Sequence, residues 1–285
     1  MSYIDEAFDG LKSNLEITEA ERKLAQERHQ LIREHIEASW QLADDFLTGS
    51  YRRDTKTKKL KDVDIFAVID PQGPQGHLAT GTGTAAIAAL KTVLSTRWTD
   101  VETDEHVVTV NYAGEDVASY EVAPAFPRKG GGFRIPAGIG WMDTDPKEHA
   151  DLVTAKNKEC GEQFVPFVKM VKGINREAEE PVQPSFLLEV MGLGLVLKPF
   201  GRYRDEIRFF LASAADRVTD NWPDPAGVGP DINSQITPAR RRELAGIIRA
   251  WQTKAEEALL LETEGKERAA VEKWRELFGW RMPRP

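Results

Sequence analysis

Two carboxylates, Asp62 and Asp64, flank Val63 at the start of the run Val63-Asp-Ile-Phe-Ala-Val-Ile69. A β-branched, apolar run of this length reads as a buried strand. Period-two alternation sends both carboxylates to one face and Val63 to the other. Two like charges on one face repel unless a cation sits between them, and a hard divalent ion such as magnesium prefers oxygen ligands. Upstream, separated from Asp62 by eleven residues, lies Gly49-Ser50, at the end of an apolar stretch. Glycine lets a ligand approach the backbone, and free amides with a serine hydroxyl can hold a phosphate. A third acid is offered by Ser119-Tyr-Glu121-Val-Ala-Pro-Ala-Phe126, where Glu121 sits in an otherwise apolar strand and is costly there if unpaired. Together Asp62, Asp64 and Glu121 form a candidate two-metal site able to activate an attacking hydroxyl and stabilise a leaving pyrophosphate.

The surrounding pattern predicts a helix over 18–47, opened by the capping box Thr18-Glu-Ala-Glu21 and stopped by Gly49. It predicts strands at 63–69, 105–112 and 116–123, the last two joined at Gly114, with a helix over 83–96 between the first and second. The Gly- and Pro-rich 127–140 reads as a loop. Asp145-Pro-Lys-Glu148 is a helix start, and helices are expected at 146–157, 160–174, 184–196, 203–217 and 238–279. The expectation is an α+β chain in two parts: a mixed-sheet palm with a long bracing helix over 1–140, then an all-α lobe over 141–285.

Composition narrows the function. Lys and Arg number 38 against 46 Asp and Glu, a net charge of −8, which argues against stable nucleic-acid binding. The single Cys160 excludes a disulfide framework or multi-cysteine zinc site, and the five histidines show no ligand spacing. The N-terminus lacks an apolar signal core, and the most apolar stretch, 186–197, is too short to span a bilayer, so a soluble cytoplasmic protein without membrane attachment is expected. Gly81-Thr-Gly83 lacks the lysine of a phosphate loop and reads as a helix-start turn. The basic loop Arg52, Arg53, Lys56, Lys58, Lys59 and Lys61 either steers triphosphates or is a solvated counter-charge, with Arg52 and Arg53 nearest Ser50.

The whole set resembles the DNA polymerase β-like nucleotidyltransferases. Glu121-Val-Ala-Pro-Ala-Phe126, Trp141, Asp145-Pro146, Lys172-Gly-Ile-Asn175, Pro184-Ser-Phe-Leu-Leu-Glu189 and Asn221-Trp-Pro-Asp-Pro225 narrow this to the CD-NTases, the oligonucleotide cyclases of CBASS anti-phage operons. The third acid is Glu where many relatives carry Asp, and Ile174 stands where the family helix often has Trp. The resemblance implies a polymerase β-like palm. It implies Asp62, Asp64 and Glu121 as ligands of two magnesium ions, with manganese as a substitute. It implies donor-triphosphate contacts from Gly49, Ser50, Lys172 and Ser185, with Phe186 stacking on the donor base, and Arg52 of the basic loop is a further nucleotide-binding candidate because it lies next to Ser50. Nucleoside triphosphates would be condensed to a cyclic di- or trinucleotide, read by a separate effector protein. The alternatives are template-independent addition to RNA or a small acceptor, and a nucleotide-binding pseudoenzyme.

Overall fold

In the computed structural model, residues 2–114 and 117–285 are described. The chain divides into two compact units, 17–151 with 226–230 and 1–16 with 152–225 and 231–285. This differs from a division at 140. The hairpin up to Thr144 hydrogen-bonds to the sheet, and the first sixteen residues pack with the helices of the second half.

In the α/β unit, helix α2 (Glu19–Glu37) opens with the expected capping box, Thr18 accepting from the Glu21 amide and Glu21 accepting from the Thr18 amide. The helix ends at Glu37, well short of 47. The chain turns through Ala38–Gln41 and enters strand β1 (Leu42–Leu47), antiparallel to β2 (Asp62–Ile69). A bulge between Leu42 and Asp44 lets Leu42 join one apolar cluster and Phe46 another. Their spacing imitates a helical stripe for that reason. Gly49 starts the single turn α3 (Gly49–Arg52) instead of stopping a helix.

Helix α4 (Gly83–Leu94) is capped by the Thr82 hydroxyl, so the Gly-Thr-Gly segment is a helix start. Strands β3 (Val101–Thr103), β4 (Val108–Asn111) and β5 (Ser119–Pro127) follow. The expected turn between the last two partly falls on 115 and 116, outside the described residues. The reading of 127–140 as loop is corrected: β6 (Phe133–Ala137) and β7 (Gly140–Thr144) form a hairpin on β5, turning at Gly138 with φ +59°. Glycine and proline suggested a loop, but here they sit at turns and in an outer hairpin.

The sheet order is β1-β2-β5-β4-β3, with β6 on the far end of β5 and β7 beyond it. Among the described residues only β2 and β5 run parallel, and every other strand pair is antiparallel. One face carries Val63, Ile65, Val108, Val110, Tyr120 and Val122 and buries them beneath α2 and α4. The opposite face is apolar only at one end, where Phe46, Phe66, Val68, Ala123, Ala125, Phe133 and Ile135 cluster.

The helical unit holds α1 (Tyr3–Leu15), the end of α5 (Pro146–Glu159), α6 (Phe164–Glu177), α7 (Phe186–Leu195), α8 (Tyr203–Arg217), α9 (Pro238–Thr263) and α10 (Glu267–Phe278). Its core is built on α6, buried almost all round. Helix α1, unforeseen in the sequence, inserts Ile4, Phe8, Leu11 and Leu15, with Phe8 edge-on to Trp274 at 5.3 Å. The predicted helix over 238–279 is two helices, because Gly265 at φ +73° lets α10 fold back on α9. Among the described residues no helix is long and apolar enough to cross a membrane.

Candidate active site

The acids lie where alternation places them. Val63 is fully buried on the core face, while Asp62 is exposed and Asp64 half-buried on the other. The parallel register sets Asp64 directly opposite Glu121, and Asp62 opposite Ser119. Directly opposed residues share a face of the sheet, so the three carboxylates occupy one end of it. The Phe46–Phe66–Ala123 cluster begins immediately below.

Glycine is obligatory beside them. Gly49 has φ +56°, and a Cβ built on it would lie 1.7 Å from Asp64 Oδ2. The α3 turn is tied to β2 by the Thr48 amide, which donates to the Asp64 carbonyl at 2.8 Å. Half-buried Ser50 follows, its carbonyl accepting from the amides of Thr55 at 3.0 Å and Lys56 at 3.2 Å. Of the two features foreseen for a phosphate contact, the glycine abuts Asp64 and the serine follows it directly in the chain.

Electrostatics point the same way. The Glu121 carboxyl is pushed up to about 7, first by burial and then by the charges of Asp64, Asp62 and Asp104. Such a site favours whatever supplies positive charge, a proton or a metal ion. An all-carboxylate donor set suits magnesium or manganese, so these residues fit the ions in kind. Among the described residues no three acidic, histidine or cysteine side chains are already drawn into a closed ligand cluster. Uncompensated carboxylates repel, and a bound cation would draw them in.

Asp104 is the member that sequence reasoning missed. It lies between β3 and β4, where its Oδ1 accepts from the amides of His106 at 2.6 Å and Val107 at 2.8 Å. Its approach to Glu121 depends on the β4–β5 pairing, which no local motif announces.

The basic loop is divided: Arg52, Lys59 and Lys61 are exposed and Lys58 is half-buried, while two of its six cations are built into the structure. Arg53 and Lys56 are buried, with Lys56 Nζ 2.5 Å from Asp54 and over the Tyr51 ring. Buried Glu21 accepts from the Leu60 amide at 2.8 Å and pins the loop to α2. Arg52 is exposed, its guanidinium 5.5 Å from the Phe46 ring centre.

The remaining candidates belong to the helical unit. Lys172 on α6 bonds fully buried Glu189 of α7 at 3.0 Å, while Lys169, one turn earlier, is buried against Glu16 at 2.6 Å. Ser185 precedes α7, its carbonyl accepting from the Leu188 amide, and its hydroxyl does not cap the helix. Phe186 is partly buried against the helical core. Cys160 is buried, which raises its thiol pKa and makes it inert.

Comparison with known proteins gives a consistent picture. Residues 1–157 match the family model described as the Second Messenger Oligonucleotide or Dinucleotide Synthetase domain. The chain is 21% identical over 270 residues to a probable cyclic nucleotide synthase of Bacillus cereus (strain VD146), covering 82% of this chain and 81% of that one. Its fold is similar to the CD-NTase CdnG of Bradyrhizobium diazoefficiens, solved in complex with GTP, with a TM-score of 0.78 at 15% identity over 98% of this chain and 96% of that one. It is also similar to the Vibrio cholerae cyclic AMP-GMP synthase DncV, with a TM-score of 0.67 at 14% identity over 99% and 87% of the two chains.

Proposed function

The chain belongs to the Second Messenger Oligonucleotide or Dinucleotide Synthetase family and has the CD-NTase fold, and from that premise we propose that it joins nucleoside triphosphates into a cyclic oligonucleotide messenger. The observation that carries the reading is the Asp64–Glu121 register, with Asp62 two residues along and Gly49 packed on Asp64. Gly49 and Ser50 receive the donor triphosphate, since α3 starts against Asp64 and offers backbone and hydroxyl together. Arg52, beside them and exposed, adds a cation for phosphate.

Asp62, Asp64 and Glu121 would hold the metal ions. Two magnesium ions bound there would lower the pKa of the acceptor hydroxyl and neutralise the departing pyrophosphate. The acceptor ribose oxygen attacks the donor α-phosphorus in line; a new P–O bond forms as the α–β bond breaks, and the hydroxyl proton passes to a Glu121 carboxylate oxygen. A second transfer closes the ring. Lys172, Ser185 and Phe186 are assigned to donor phosphates and base, as in the family pattern. A separate effector in an anti-phage system reads the product.

The test is incubation of the purified protein with the four triphosphates and magnesium, or manganese, followed by phosphatase and mass spectrometry. A phosphatase-resistant species of cyclic mass is expected. Linear, phosphatase-sensitive oligomers would instead indicate addition to open chains, and absence of any product would contradict the reading.

A further inference from the structure

The row that contains Asp64 and Glu121 does not end at Glu121. Glu121 stands opposite Thr109 on β4, and Thr109 opposite Glu102 on β3. Paired residues share a face, so Asp64, Glu121, Thr109 and Glu102 form one line across four strands, each step roughly 5 Å. The line is polarised: Gly49 and the α3 turn close it beyond Asp64, and the short, exposed β3 edge ends it beyond Glu102. With the donor triphosphate at the α3 end, the side of Glu121 left for the acceptor is the side of Thr109.

Thr109 is also an available uncharged hydroxyl on that side. Asn111, on the same face one row along, donates its side-chain amide to Asp100 at 3.1 Å. Ser119 donates to the Lys61 carbonyl at 3.4 Å. The half-buried Thr109 hydroxyl makes no hydrogen bond to any described residue. On its other side the strand is fixed by buried Val108 and Val110, so its position relative to Glu121 is rigid.

We propose that the Thr109 hydroxyl holds one of the two vicinal ribose hydroxyls of the acceptor nucleotide and so presents the other to Glu121. Thr109 is then a specificity-determining residue for the position, 2′ or 3′, at which the phosphodiester is made. The inference rests on the cyclase reading above and deepens it. A ribose offers two near-equivalent nucleophiles, and a single neighbouring hydrogen bond is enough to bias them: one such bond corresponds to roughly a three- to tenfold preference.

The experiment compares the unaltered protein with Thr109→Val, which removes only the hydroxyl, and Thr109→Ser, which restores it. Products are resolved by linkage-specific nucleases, acceptor KM is measured with the donor saturating, and donor affinity is read with a non-hydrolysable triphosphate. Expected for Thr109→Val are a shift of roughly three- to tenfold in the linkage ratio and in acceptor KM, donor affinity within about twofold, and recovery in Thr109→Ser. As a second measurement, an acceptor lacking the non-attacking hydroxyl should raise KM for the unaltered protein and have no further effect in Thr109→Val. An unchanged linkage ratio and KM in the valine variant, or additive effects of the two deletions, would overturn the inference while leaving the cyclase reading intact. No product from the unaltered protein would overturn that reading, and the inference with it.

Discussion

The Cα of Gly49 is packed so closely on the Asp64 carboxylate that a single added carbon would come within 1.7 Å of Oδ2. The contact joins the two halves of the proposed site, the turn assigned to the triphosphate and the strand that carries the acids. It also explains why glycine precedes Ser50: both the φ of +56° and the missing Cβ are required.

Gly49→Ala should therefore disable the site without unfolding the unit. Either Asp64 swings away or α3 lifts from β2, and turnover should fall by two orders of magnitude or more. Stability should drop by about 1–2 kcal/mol from the left-handed backbone alone. Steady-state rates and chemical denaturation of the purified variant check both figures; near-normal turnover would show that the acids tolerate displacement.

How much of this was legible in the sequence depends on range. The Asp62-Val63-Asp64 alternation, the Thr18 capping box and the Asp145 helix start are local patterns, and each has the structure its chemistry requires. The strand at 42–47 was hidden because a bulge gave its apolar residues a helix-like spacing. Helix α1 carried readable signals, the Ser2–Asp5 capping box and apolar residues at 4, 8, 11 and 15, which were overlooked. Asp104 and Thr109 were beyond reach, because only strand register brings them to Glu121.

The pH dependence of metal-free stability should betray Glu121. Its folded-state value is raised to about 7 from an ordinary 4.5, chiefly by burial. The stabilising neutral form is thus fully present below 4.5 and lost as pH rises through 7. Glu121→Gln stays neutral throughout, so it should match the unaltered protein at pH 4.5 and exceed it at pH 8. The excess is on the order of 1 kcal/mol after solvent screening, or about 2–4 °C in Tm. Magnesium should reduce the gap at pH 8 by stabilising the unaltered protein. Melting curves across that range decide it; a gap independent of pH would contradict the account.

Lys172 is tied to a fully buried carboxylate, Glu189, and this predicts a structural cost in addition to any lost phosphate contact. Lys172→Met removes a cationic partner from the buried charge and should destabilise the protein by up to about 3 kcal/mol. Pairing it with Glu189→Gln should recover most of that loss. Urea denaturation of the single and double variants measures it. An unaffected midpoint in Lys172→Met would show that the ion pair is not needed for the fold.

Asp62, Asp64 and Glu121 are proposed to act together on a triphosphate through bound metal. The most direct test is magnesium-dependent product formation by the unaltered protein beside Asp62→Asn/Asp64→Asn, with circular dichroism to verify folding. A phosphatase-resistant cyclic product is expected from the first and none from the folded double variant. Near-normal product from the double variant would contradict that joint action.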